Sequence, residues 1–182
     1  QYGSNPFVTQ AETGECLTYV EFNQLTNHIA HGLISLGVGD KEYVAIMLPN
    51  CVQFLASSYA LKKIGAIEVA INNNTRGPSL TRVINMTKCR ILITAGEYLQ
   101  QLSEVVEGLD YIERVIMMDD HHFASKLFPN LEVLPWQSIL GESDSNFLCE
   151  FSDEEIAVIL FTSGTTGVSK GCDIPHRSSV RA

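Results

Sequence analysis

Residues 161–171 read F-T-S-G-T-T-G-V-S-K-G, and they follow the apolar run 156–161, which is typical of a buried strand. A strand that leads into a glycine-rich loop predicts an open α/β sheet, because such sheets bind ligands at the carboxyl ends of their strands. The glycines allow backbone N–H groups to converge into a concave anion-binding nest. Lys170 adds a positive charge suited to phosphate. We therefore expect this loop to bind a polyphosphate.

Two common phosphate-binding motifs do not fit the loop. In a Walker A loop the lysine directly follows a glycine, whereas Val168 and Ser169 separate Gly167 from Lys170. The dinucleotide fingerprint is also absent from the loop, because no G-x-G precedes its glycines. Serine, threonine and glycine also build ordinary polar turns between strands, so turn chemistry alone leaves that alternative open.

The pattern T-S-G-T-T-G-x-[PS]-K-G resembles the phosphate loop of the adenylate-forming enzymes. These include acyl- and aryl-CoA synthetases, luciferases and the adenylation domains of nonribosomal peptide synthesis. The resemblance covers nearly the whole chain, since further family-like segments occur in the same order, namely L-T-Y at 17–19, G-V at 37–38, L-P-N at 48–50, K-I-G-A at 63–66 and I-N at 71–72. Asn50-Cys51 and residues 63–67 are most similar to small-acid CoA ligases of the carnitine/crotonobetaine kind.

The resemblance implies a fold, a reaction and a binding site. The fold would be the N-terminal subdomain of the adenylate-forming enzymes, with a mostly parallel sheet and helices on both faces. The reaction would activate a small carboxylic acid with ATP and Mg²⁺ as an acyl-adenylate, and then transfer the acyl group to coenzyme A. The β- and γ-phosphates would be bound by Thr162, Ser163, Gly164, Thr165, Thr166, Gly167 and Lys170. No complete set of catalytic residues and no metal ligand is expected in this chain.

Family members contain several hundred residues, so residues 1–182 resemble a partial N-terminal AMP-binding domain. The segments for adenine, ribose and the catalytic lysine would be missing, together with the small C-terminal domain. The opening Gln1-Tyr2-Gly3, without methionine, also indicates an excised piece. We therefore expect the chain alone to be inactive. Two alternatives stay open, which are an adenylation domain that loads amino acids onto a carrier protein and a non-catalytic module of the same fold.

Composition excludes several classes of protein. Hydrophobic residues make up 45% of the 182 residues, which is enough for one globular core, and the net charge is −9. Such an acidic chain argues against a general nucleic-acid or anionic-membrane surface. No segment is long and apolar enough to cross a bilayer, and five dispersed cysteines are typical of reduced thiols in a cytoplasmic protein. His121-His122 lie in a polar stretch, where solvated side chains are expected rather than a metal site.

Hydrophobic periodicity predicts alternating strands and helices, which favours the α/β class with a parallel sheet. A short hairpin with its turn at Thr13-Gly14 precedes a helix that has a capping box, Thr18 with Glu21. His28 and His31 lie off the apolar stripe of this helix and are expected to be solvated. Further strands are predicted at 44–48, 66–71, 90–94, 113–118, 156–161 and 172–176, and further helices at 51–64 after an Asn50 cap, from Pro78, at 97–109 and, as a short piece, at 136–140.

Two residues beyond the loop affect the interpretation. Asp173 replaces an apolar residue of the family pattern, and its carboxylate would weaken anion binding if it faced the nest. His176 stands where the family often has histidine, and we expect a structural hydrogen bond that closes the hairpin rather than a chemical role.

Overall fold

The computed structural model describes residues 3–148, 151–163 and 169–180, with side chains left undescribed at 163, 169, 179 and 180. Strands and helices alternate along most of this part of the chain. The strands are β1 Pro6–Thr9, β2 Cys16–Thr18, β3 Tyr43–Met47, β4 Ile67–Ala70, β5 Ile91–Thr94, β6 Arg114–Met117, β7 Glu132–Pro135, β8 Ile156–Ser163 and β9 Ser169–Pro175. The α-helices are α1 Tyr19–Ser35, α2 Val52–Lys63, α3 Gly77–Thr87, α4 Leu99–Ser103, α5 His121–Leu127 and α6 His176–Val180.

Within the described residues, seven strands form one sheet in the order β7-β6-β5-β3-β4-β8-β9. All neighbouring pairs are parallel except β8 and β9, which form an antiparallel hairpin at one edge. The predicted fold class is therefore confirmed. Because β3 to β8 run in the same direction, the loops that follow them lie along one edge of the sheet.

The N-terminal segment has the predicted hairpin and capping box. Strands β1 and β2 pair antiparallel, and Gly14 in their turn has a φ of +73°, which favours glycine. The Thr18 hydroxyl accepts a hydrogen bond from the Glu21 N–H at 3.3 Å, while the Thr18 N–H donates to the Glu21 carboxylate at 2.8 Å. This reciprocal pair satisfies two N–H groups at the start of α1.

The core lies on both faces of the central strands. The side chains of residues 44–47 in β3 are at most 1% exposed, and those of β5 at 91–94 are at most 2% exposed. Helices α1 and α2 pack against each other. The cap of α2 differs from the prediction, because Cys51 rather than Asn50 is the N-cap and its sulfur accepts from the Phe54 N–H.

Three predicted elements are wrong or incomplete, and one strand was not predicted. The helix predicted at 97–109 is broken into α4 and two flanking 3₁₀ turns, Gly96–Tyr98 and Val106–Gly108. Residues 119–122, predicted as a loop, include the start of α5, where the Asp120 carboxylate accepts from the Phe123 N–H at 3.2 Å. Strand β7, which pairs with β6, was not predicted. The short helix predicted at 136–140 is a 3₁₀ turn, Trp136–Ile139.

His28 and His31, which were predicted to be solvated, are half-buried and contact a distant segment of the chain. His28 Nδ1 lies 2.6 Å from the Gly141 carbonyl oxygen, and His31 Nε2 lies 3.2 Å from the Ser145 hydroxyl. The polar segment 141–147 crosses over α1 at this position, and its Phe147 ring packs 4.3 Å from the His31 ring. Both histidines therefore fasten a distant segment to the helix.

One buried ion pair connects α2 with the sheet. Glu68 in β4 is 2% exposed, and its carboxylate accepts a hydrogen bond from the Ser58 hydroxyl. The Lys62 ammonium lies 3.8 Å from the same carboxylate and donates to the Ser58 hydroxyl at 2.7 Å. Burial lowers the pKa of Lys62, and the nearby Glu68 charge opposes that shift.

Candidate functional site

The candidate site is built on the β8–β9 hairpin. Strand β8 extends to Ser163 and β9 begins at Ser169, so both strands are longer than the sequence predicted. Their register pairs Thr162 with Lys170 and Ser163 with Ser169. Residues directly opposite in an antiparallel pair have side chains on the same face of the sheet. Thr162 and Lys170 therefore lie side by side at the carboxyl end of β8, one on each strand.

The structure describes the predicted phosphate-binding residues to different extents. Thr162 and Lys170 are exposed to solvent, as a binding role requires. Ser163 is described by its backbone alone, as the last residue of β8. The predicted residues Gly164, Thr165, Thr166 and Gly167 lie outside the described residues.

A polar cleft of about 300 Å³ lies beside Thr162. Strands β4 and β8 are parallel neighbours, so the loop after β4 meets the end of β8 at the same edge of the sheet. Among the described residues, its lining has hydroxyl and amide groups, one guanidinium and no carboxylate. Its lining residues are Asn72, Asn74, Thr75, Arg76, Ser79, Val83, Phe161 and Thr162.

Arg76 also lies in this cleft, and it was not among the residues predicted from the sequence. It is exposed, and its guanidinium donates to the carbonyl oxygens of Asn73 at 2.6 Å and Thr75 at 3.1 Å. These contacts hold the guanidinium against the loop that leads into α3. The sequence did contain a signal for Arg76. Its loop follows a buried strand, as the loop after β8 does, and loops that follow parallel strands meet at the same edge of the sheet.

Asp173 does not lie at the phosphate loop. It pairs with Ile159 in the middle of β8, four residues along β9 from Ser169, which corresponds to roughly 13 Å. There it lines a separate cavity of about 500 Å³, whose walls include Lys41, Lys88 and Arg90. The concern that its carboxylate would weaken anion binding at the loop therefore does not apply.

His176 supports the base of the hairpin. Its backbone N–H donates to the Glu155 carbonyl oxygen at 3.0 Å, and its ring stacks on Phe151 with the centroids 4.5 Å apart. Burial, followed by the positive charge of Lys62, lowers the pKa of His176 below its ordinary value. The hydrogen bond that closes the hairpin thus comes from the backbone, while the imidazole packs against an aromatic ring.

Metal binding was not expected from the sequence. In the part of the chain that the structure describes, no three histidine, cysteine, aspartate or glutamate side chains are grouped as metal ligands. His121 and His122 stand at the start of α5 with their rings 4.0 Å apart.

Comparison with known proteins gives the family. The model of the AMP-binding enzyme family matches residues 1–182. The chain belongs to that family. The AMP-binding family includes acyl-CoA ligases, and two such relatives align with most of this chain. The acyl-CoA ligase sidI of Beauveria bassiana is 28% identical over 99% of the chain, and the crotonobetaine/carnitine–CoA ligase of Salmonella paratyphi A is 29% identical over 87% of it.

A solved structure with the same fold is the anthranilate CoA ligase AuaEII in complex with anthranoyl-AMP. It superposes with a TM-score of 0.85 at 21% identity over 97% of this chain. The chain spans 32%, 30% and 32% of the lengths of these three proteins, in the order given. None of the helices in the described ranges is long and apolar enough to cross a membrane.

Proposed function

We propose that this chain is the phosphate-binding part of an ATP-dependent acyl-CoA synthetase. The whole enzyme would join a carboxylic acid to the α-phosphate of ATP, release pyrophosphate, and transfer the acyl group from the adenylate to coenzyme A. The proposal depends chiefly on Thr162 and Lys170. They are exposed and face each other across the hairpin at the carboxyl end of β8, in a chain that an AMP-binding model matches throughout.

The chemistry of this site suits a leaving pyrophosphate. In-line attack of a carboxylate on the α-phosphorus needs no general base, so the protein contributes positioning and stabilisation of negative charge. Lys170 would supply a charge to the β- and γ-phosphates, and Thr162 would supply a hydroxyl donor. The backbone N–H groups and side chains of Ser163, Gly164, Thr165, Thr166 and Gly167 would complete the nest. Arg76, in the cleft beside Thr162, would add a second positive charge.

Magnesium would enter this site together with ATP. Protein sites for Mg²⁺ usually supply one or two carboxylates, and the rest of the coordination comes from phosphates and water. The described lining of the cleft beside Thr162 has no carboxylate, so those residues suit phosphate oxygens better than the ion itself. The ion would neutralise charge on the phosphates, and any protein ligands to it would come from residues beyond this cleft.

The domain proposal gives a direct test. Residues 1–182 would be the first part of a larger AMP-binding domain, so the chain alone should not catalyse acid-dependent exchange of pyrophosphate into ATP. The longer enzyme encoded by the same reading frame should catalyse this exchange when a suitable acid is supplied. Exchange by the purified 182-residue chain would contradict the proposal that it is a part of the enzyme.

Replacement of Lys170 by alanine tests the proposed role of the loop in the longer enzyme. Loss of one charge-assisted contact costs about 1.5–3 kcal/mol, which is roughly a 10- to 150-fold fall in the rate of adenylation. Thioester formation from supplied acyl-adenylate should be nearly unchanged. Lys126→Ala, which removes an exposed lysine on α5, is the matched control and should leave both steps unchanged. Equal losses in both steps after Lys170→Ala would show that Lys170 acts through folding.

The acceptor of the acyl group is part of the proposal. We infer coenzyme A because both aligned relatives are CoA ligases. Incubation of the longer enzyme with acid and ATP, plus either CoA or a phosphopantetheinyl carrier protein, would distinguish the two acceptors. We also infer a cytoplasmic location, supported by the free thiols of Cys16, Cys51, Cys89 and Cys172, which suit a reducing compartment.

A further inference from the structure

Two sulfur atoms meet at the carboxyl edge of the sheet, on the other side of β4 from the candidate phosphate site. Cys51 follows β3 and caps α2, while Met118 follows β6. The Cys51 Sγ and the Met118 Sδ are 3.9 Å apart, and the thiol donates to the thioether. The Phe54 N–H donates to the Cys51 sulfur at 3.4 Å, so the thiol is held in one orientation. The proposed phosphate chemistry uses neither residue.

The separation of these sulfurs fits a shared metal ion. If each of two sulfur atoms 3.9 Å apart lies about 2.3 Å from an ion, the typical zinc–sulfur distance, they subtend an angle of roughly 115° at the ion. That angle is close to trigonal, which leaves room for one further ligand. The thiol proton now lies between the two sulfurs, in the position that the ion would take.

The surroundings of the pair favour a cation and give it access. Cys51 and Met118 are half-buried and line a cavity of about 500 Å³ together with Glu12, Pro49 and Asn50. The Glu12 carboxylate in this lining attracts a positive ion, and an oxygen of Glu12 or Asn50 would provide the third ligand.

We propose that Cys51 and Met118 form a binding site for a soft monovalent cation such as Cu⁺. A thiolate with a thioether selects Cu(I), whereas Mg²⁺ and Ca²⁺ prefer oxygen ligands. Binding replaces the S–H bond by a sulfur–metal bond, the proton leaves to solvent, and the metal keeps its oxidation state.

The test uses Cu⁺ itself and three matched variants. In a background in which Cys16, Cys149 and Cys172 are serine, Cu⁺ is added without oxygen and competed with a chromophoric Cu⁺ chelator. Met118→Leu removes the thioether at similar volume, and Met86→Leu removes an exposed thioether elsewhere as the control. Cys51→Ser removes the soft donor but keeps an oxygen that can cap α2.

One ion per chain is expected in the background protein, with two sulfur neighbours of the copper in X-ray absorption spectra. Met118→Leu should weaken binding roughly tenfold or more and reduce the sulfur count to one. Cys51→Ser should remove high-affinity binding, and Met86→Leu should change nothing. If no ion binds to the background protein, or if Met118→Leu binds as tightly as the background, the site is overturned. The Met118→Leu result holds even if Cys51→Ser fails to fold.

Discussion

Replacement of Glu68 by leucine tests the buried ion pair between α2 and the sheet. Glu68 is 2% exposed in β4, and its carboxylate contacts both Ser58 and Lys62. Leucine would fit the apolar strand, but it would leave the Lys62 ammonium, whose side chain is only 17% exposed, without its partner charge. We therefore expect a large loss of stability from a substitution that otherwise increases hydrophobic burial.

The magnitude follows from the unpaired charge. Removal of one member of a buried ion pair costs about 3–5 kcal/mol of unfolding free energy. The Lys62 side chain is partly exposed to solvent, so we expect the lower end of this range, about 3 kcal/mol. For a chain of this length, that loss corresponds to a fall in melting temperature of roughly 6–12 °C. Lys62→Met should cost more, because it leaves Glu68 unpaired with almost no access to water. The double variant should lie within about 1–2 kcal/mol of the parent, since a well-packed apolar pair replaces a buried ion pair at little cost.

The assay is urea unfolding of the four proteins, followed by circular dichroism and analysed as a double-mutant cycle. Asp40→Asn is the control, because the Lys41–Asp40 pair is 63% exposed on both sides and should contribute no more than about 1 kcal/mol. Additive losses in the double variant would refute the reasoning, since they would mean that Glu68 and Lys62 do not interact. A loss below about 1 kcal/mol for Glu68→Leu would contradict the burial of the pair.

Three further predictions concern packing, thiols and pH. Gly32→Ala would place a methyl carbon 2.1 Å from the Ile139 carbonyl oxygen, so we expect a loss of several kcal/mol in thermal unfolding; a melting temperature equal to the parent's would contradict this close contact. Burial raises the pKa of Cys89 to about 11, so peptide mapping after alkylation of the folded protein should show Cys16 modified and Cys89 protected, and early labelling of Cys89 would refute its burial. Burial also lowers the pKa of Lys63 to about 8 from 10.5; the folded state then binds fewer protons than the unfolded state between these values, so stability should rise with pH across this window and Lys63→Met should flatten the rise. A fall over the same window would show that the oxygens around the Lys63 ammonium, at 2.6–3.2 Å, outweigh burial.

The sequence predicted the elements whose apolar residues are numerous and regular. The strands β3, β4, β5, β6 and β8 are short apolar runs bounded by polar or turn residues, and α1 has a full stripe with a capping box. Helix α5 was missed because only Ala124 among its seven residues is buried, so no stripe marks it. Strand β7 was missed because it lies at the sheet edge and has no fully buried residue.

Contacts between distant parts of the chain were beyond prediction from local pattern. His28 and His31 lie off the apolar stripe of α1, and they find their partners in the segment 141–147. At the candidate site, the selection of Thr162 and Lys170 followed from the motif. Arg76 did not, because its place beside Thr162 depends on the pairing of β4 with β8.

The position of β8 in the sheet has a consequence for how the protein folds. The neighbours β3, β4 and β5 come from one continuous stretch, but β8 pairs with β4 from about half the chain length away. Closing such a long loop costs entropy that only the finished pairing offsets, so β8 should join the sheet late. The hairpin with β9 is local and can form early, but it has no support until β4 is in place. The candidate phosphate site should therefore be among the last parts to assemble, and the onset of phosphate affinity during refolding would mark completion of the sheet.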